Sequence, residues 1–167
     1  MVIINNRLNL IDNIDCAIKA ENTIGNCYKR LARLIKNGRV RKRFLWLADK
    51  AESHKTALIQ HFSRNEMRKC QERNECKFCK VNPDSFSLIG ALNLEEEAAR
   101  AASRFYKHMS HSSQNAEDRE LFKRLYHDES TQLKFLKKEK EFHSHDDEKH
   151  DTIKVYCIPE IISNLWI

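Results

Sequence analysis

The sequence predicts an all-α protein: an antiparallel bundle of four helices, with a long crossover between the second and third and an apolar C-terminal tail. Three observations lead there. The 167 residues include only 3 glycines and 2 prolines, so the chain has few places to turn, and 32% of them are charged. Leucine, alanine, glutamate, lysine and arginine are abundant, which favours a few long helices over many short strands. Four segments carry apolar residues at alternating steps of three and four, the spacing of a single helix face in a bundle. Between the second and third of these lies RNEMRKCQERNECKFCKVNPD, which has no helical period and is too long for a simple helix–helix turn.

The first helix is expected from Leu8 to Ile35 or Lys36, on the stripe Leu10, Ile14, Ala17, Glu21, Ile24, Tyr28, Leu31 and Ile35. Asn37-Gly38 is expected to end it in the left-handed conformation. The second helix, Arg39 to Phe62, follows after almost no loop, so the two should form an antiparallel hairpin. Its stripe is Phe44, Leu47, Ala51, His54, Leu58 and then His61 or Phe62. The crossover, residues 63–84, would travel the length of the bundle and set the third helix parallel to the second.

The third helix is expected to open with Asp84 or Ser85 as N-cap and to run to about Met109, on Leu88, Leu92, Glu95, Ala99, Ala102, Tyr106 and Met109. A polar turn, His111 to Gln114, leads to a fourth helix from near Asn115 to about Lys140, with Asp118 completing an approximate capping box. Its stripe is Phe122, Leu125, Glu129, Gln132 and Leu136. The bundle domain thus spans residues 1–142, and residues 143–167 form a His/Asp-rich linker and the apolar tail. His143, His145 and His150 in that linker would collect metal only adventitiously. The two hairpins resemble each other, each pairing a glutamate helix with a second helix that has a polar seam.

Each stripe therefore carries residues that do not belong in an apolar core: Glu21, His54, Glu95, and Glu129 with Gln132. All lie near mid-helix, so in an antiparallel arrangement they could meet in one layer. Carboxylates converging in a core repel one another and are costly to bury uncompensated. No lysine or arginine occupies any of the four stripes, so a metal ion is the expected source of positive charge. Oxygen ligands with an imidazole suit iron, manganese or zinc. The plainer alternative is a hydrogen-bonded polar layer that fixes helix register.

These residues resemble the ferritin-like superfamily, and within it the rubrerythrin-like di-iron proteins, from about Leu8 to Glu141. AENTIGNCYKRLA followed by LADKAESHKTALI carries the resemblance best, with Glu21 and Tyr28 seven residues apart and His54 closing the second-helix motif. ALNLEEEAARAASRFY and YHDESTQLKFL are similar to the third and fourth helices. The resemblance implies iron held by a glutamate from each of two helices and by Glu-x-x-His on the other two. It would make the chain an oxidoreductase acting on oxygen or peroxide.

The chain departs from that pattern. Ala51 stands three before His54, and Gln132 three after Glu129. Glu95 lies eleven residues before Tyr106 where seven is usual, and Ala99 holds the nearer position. Glu52 and Glu96 are neighbouring carboxylates set about 100° off the stripe. A single metal, an asymmetric pair and an empty polar core all remain open, and so does catalysis. Two Cys-x-x-Cys pairs, as a rubredoxin-like module requires, are absent from the sequence.

Two further features stand outside the layer. Cys70, Cys76 and Cys79 in the crossover, with His61 or Cys157 as a fourth ligand, form a candidate zinc site, set against three reduced thiols on a polar loop. From Asn22 to Ala48 there is no acidic residue, while Lys29, Arg30, Arg33, Lys36, Arg39, Arg41, Lys42 and Arg43 cluster at the first turn. That end is a candidate surface for nucleic acid, an acidic partner or anionic lipid, or is simply a solvated basic end. Six cysteines are too few for a disulfide scaffold, and neither a signal peptide nor a membrane-spanning run is expected, which points to the cytoplasm. Metal ions are the expected partners, with a homodimer also considered. The contrasting functional class is a non-catalytic bundle acting as a binding module through its basic end or its cysteine loop.

Overall fold

A computed structural model describes residues 2–62 and 88–143 of the chain. They form four α-helices and, among the described residues, no strand: α1 Val2–Leu34, α2 Gly38–His61, α3 Leu88–Ser112 and α4 Ala116–His143. The all-α class and the helix count are as expected. The crossover with its cysteines, the expected N-cap at Asp84 or Ser85, and the tail beyond His143 lie outside the described residues. The chain divides into two compact units, residues 1–77 and 78–167. Each contains one helical hairpin.

In the first hairpin, Lys55 donates to Asn22 Oδ1 at 3.3 Å, and the Tyr28 ring meets Phe44 edge-on at 5.8 Å. Later residues of α1 meet earlier residues of α2, so the pair is antiparallel. The helices lie close together at Gly25, where an added Cβ would lie 3.2 Å from Ala51 Cβ and 3.6 Å from the Ala48 carbonyl oxygen. The turn differs from expectation. Asn37 is extended, with φ −66° and ψ 114°, and its Oδ1 accepts from the Arg39 and Val40 N–H groups at 3.0 and 3.2 Å. It is the N-cap of α2 rather than a left-handed stop to α1. An asparagine carbonyl that satisfies two otherwise orphaned N–H donors outweighs the local Asn-Gly preference.

The second hairpin is built the same way. Lys140 donates to Glu96 at 2.6 Å, Ser103 and Ser130 hydroxyls meet at 3.4 Å, and the Tyr106 and Phe122 rings stack at 6.3 Å. Again the order is antiparallel. α3 continues through His111 and Ser112, so the turn is shorter than expected, and Asn115 caps α4 by accepting from Glu117 N–H at 2.7 Å.

The resemblance between the hairpins is a fixed register. α1 ends at residue 34 and α3 at 112; α2 starts at 38 and α4 at 116. The capping asparagines are 37 and 115, and the aromatic pairs Tyr28–Phe44 and Tyr106–Phe122. Every one of these pairs is separated by 78 residues. The buried positions keep that spacing: Ile14 with Leu92, Leu31 with Met109, Leu47 with Leu125 and Leu58 with Leu136. Burying each such aliphatic side chain contributes roughly 1.5–3 kcal/mol, so a common apolar register stabilises both hairpins.

Candidate metal centre

Glu21 on α1 and His54 on α2 face each other inside the first hairpin, each 3% exposed, with His54 Nδ1 3.3 Å from Glu21 Oε1. Their positions follow from the stripes, since each is flanked three or four residues away by buried apolar side chains: Ala17 and Tyr28, and Ala51 and Leu58. The small Ala51 and Gly25 bring the two backbones close beside the pair. Just outside it, Lys55 reaches both Asn22 and Glu52, the latter at 2.7 Å. Glu52 is exposed and bound to Lys55, so it does not stand in for the missing carboxylate at Ala51.

In the second hairpin, Glu95 on α3 is fully buried, and Glu129 and Gln132 on α4 are each 6% exposed. All three occupy the predicted stripe. Glu96 lies off it and ties the hairpin together, holding Arg100 and Lys140. The hydrogen bond from Lys140, then that from Arg100, keeps the Glu96 carboxyl below the ordinary carboxylate range. Like Glu52, it is occupied elsewhere.

The 78-residue register shows what each position has become. Glu21 corresponds to Ala99, Ala51 to Glu129, His54 to Gln132 and Ala17 to Glu95. All eight are buried. The displacement of Glu95 by one turn, noted in the sequence, is therefore a displacement against the first hairpin as well.

The donor set fits a cation. Glu21, Glu95 and Glu129 are buried, yet among the described residues no lysine or arginine is. Buried carboxylates require compensating charge or protonation. The 3.3 Å between His54 Nδ1 and Glu21 Oε1 is also a suitable separation. Two ligand atoms about 2.1 Å from one ion are about 3.0 Å apart at an octahedral angle and about 3.4 Å at a tetrahedral one, by the usual metal–ligand lengths.

Of the other candidates, His61 ends α2 half-buried, its ring 4.8 Å from that of Phe62, while Cys70, Cys76, Cys79 and Cys157 lie outside the described residues. Lys29, Arg30, Arg33, Lys36, Arg39, Arg41 and Lys42 are all exposed around the first turn, with Arg43 half-buried. His143, which the sequence assigned to the linker, instead ends α4 buried, with Nε2 3.3 Å from Glu139 Oε1. The Glu–His spacing of four residues was the available signal. No helix among the described residues is long and apolar enough to cross a membrane.

Helical hairpins that bury carboxylates and an imidazole, with no buried lysine or arginine among the described residues, have the character of the ferritin-like, metal-binding class. The family model for rubrerythrin matches residues 12–140, most of all four helices. The chain belongs to the rubrerythrin family, and that membership implies iron binding. No curated protein and no solved structure matches the chain.

Proposed function

We propose that the chain is an iron-binding, rubrerythrin-like protein that holds its metal on buried carboxylates and an imidazole. Glu21, His54 and Glu129 would be its principal ligands, with Glu95 a further carboxylate and Gln132 a weak ligand or hydrogen-bonding neighbour. The observation that carries this is the buried Glu21–His54 pair, with ligand atoms 3.3 Å apart in a chain that buries no lysine or arginine among its described residues. Family membership supports iron as the ion, and the ligand types also accommodate manganese or zinc.

Bound iron supplies one-electron chemistry toward oxygen or peroxide. The protein's part is to fix the imidazole and the carboxylates by packing and to exclude water. Phe44, Leu47 and Leu58, each at most 1% exposed, give α2 a dry surface on both sides of His54. We place the protein in the cytoplasm, where its cysteines would stay reduced.

Metal analysis of anaerobically purified protein tests this reading. Iron or manganese near stoichiometric amounts, lost in both Glu21→Ala and His54→Ala, would support it. Zinc lost only on Cys76→Ala would move the site to the cysteine loop. Absence of metal, with salt-dependent binding of RNA or DNA, would instead favour a binding module working through the exposed basic turn.

A further inference from the structure

We infer that the chain keeps one metal position of a two-metal layout and has lost the other. This rests on the metal-binding reading above and goes beyond it in fixing the number of ions. A di-metal carboxylate layout takes a glutamate from each of two helices and a Glu-x-x-His from each of the other two. With two hairpins in a common register, each of the three roles should occur twice, 78 residues apart. Here each occurs once. The single glutamate is present at Glu21 and replaced at Ala99. The carboxylate of the Glu-x-x-His motif is present at Glu129 and replaced at Ala51, and the imidazole is present at His54 and replaced by Gln132.

Charge decides between one ion and two. Glu21 and Glu129 neutralise one divalent cation. A second would leave two uncompensated positive charges among buried groups, a cost large enough to prevent its binding. Glu95 does not restore the balance. It adds at most a third carboxylate where two divalent ions need four, and it corresponds to Ala17, about 6 Å along the helix axis from the position of Ala99.

Packing points the same way. In the first hairpin Gly25 faces Ala51, whereas its counterpart in the second is Ser103, whose hydroxyl meets that of Ser130, the residue after Glu129. In the first the backbones have closed to the point where even a Cβ on Gly25 would sit 3.2 Å from Ala51. The volume a second bridging carboxylate would need in the first hairpin has been taken up by helix–helix contact.

The test is anaerobic titration of the metal-free chain with ferrous ion alone, followed by air oxidation and electron paramagnetic resonance. The expected result is one ion per chain and the signal of an isolated high-spin ferric ion. Two ions per chain, with the signal silenced by coupling between them, would overturn this inference while leaving iron binding intact. No binding at all would overturn the proposed function itself. A second arm restores the lost roles in the triple variant Ala51→Glu, Ala99→Glu, Gln132→His, with helix content followed by circular dichroism. A folded variant taking up two ions is expected, and a folded variant still limited to one would show that the lost position has been misassigned. If the triple variant does not fold, the wild-type titration still decides between one ion and two.

Discussion

Glu21→Gln is the sharpest single perturbation of the centre, because it removes charge while keeping shape. His54 Nδ1 and Glu21 Oε1 are 3.3 Å apart, at the long end for a nitrogen–oxygen hydrogen bond, so the pair is not strongly bonded without metal. The glutamine carbonyl can still accept from the imidazole. The metal-free variant should therefore lose no more than about 1 kcal/mol, the difference between a charged and a neutral acceptor. For a chain of this length that is roughly 2–4 °C in melting temperature.

Metal binding should respond far more. Supplied at a hundred times its dissociation constant, an ion stabilises the wild-type fold by about 2.7 kcal/mol, or roughly 5–11 °C. Loss of even an outer-shell partner weakens metal sites by about 10–100-fold. Loss of a direct ligand that also carries half the neutralising charge should reach at least the top of that range. At the same ion concentration the variant then gains only about 0.4 kcal/mol, roughly 1–2 °C. Differential scanning fluorimetry with and without ferrous or manganous ion reads both quantities, and exposed Glu52→Gln serves as the control that should retain the full shift. A Glu21→Gln protein stabilised by metal as much as wild type would refute the ligand assignment.

Three other outcomes follow from the hairpins themselves. Ser113 Oγ is buried with no hydrogen-bond partner among the described residues, and its counterpart in the first hairpin is the apolar Ile35. Ser113→Ala should raise stability by about 1 kcal/mol in urea unfolding, and a loss would show that the hydroxyl is satisfied in solution. Glu96 titrates below its unfolded range, so the stability it contributes is present above about pH 4.3 and lost as pH falls through its folded value. Lys140→Ala should accordingly cost up to about 1 kcal/mol at pH 7, and its difference from wild type should shrink in acid, where a pH-independent difference would contradict the assignment. Gly25→Leu would drive a side chain into Ala51 and the Ala48 carbonyl and should cost at least about 1–3 kcal/mol, whereas unchanged denaturation midpoints would mean the helices separate freely.

Most of the fold was legible because both hairpins obey one rule. Steps of three and four put Ile14, Tyr28, Phe44, Leu58, Leu92, Tyr106, Phe122 and Leu136 on single stripes, and all eight are buried. The five anomalous polar residues were legible for the same reason, since only a stripe makes a glutamate or histidine look out of place. What escaped was local and depended on single hydrogen bonds. Asn37-Gly38 read as a helix stop because both residues favour the left-handed region, while the side-chain carbonyl of Asn37 capped the next helix instead. His143 read as linker because the sequence around it is polar, although its own turn pairs it with Glu139.

The exact register between hairpins was hidden for a more instructive reason. Identity is kept at Tyr28 and Tyr106, Asn37 and Asn115, and Phe44 and Phe122, positions that set packing or turn geometry. It is lost at the positions where metal chemistry would be found, where glutamate faces alanine and histidine faces glutamine across the repeat. Packing constrains both halves alike because each hairpin must bury its own aromatic pair to hold together. Ligation requires only that one complete set survive, and with alanine at 51 and 99 in place of two carboxylates, Gln132 offers the other set only a neutral amide, a weaker ligand than imidazole. A centre reduced in this way should be selective for a single ion, so restoring Gln132→His alone, without the carboxylates, should leave the ferrous stoichiometry at one.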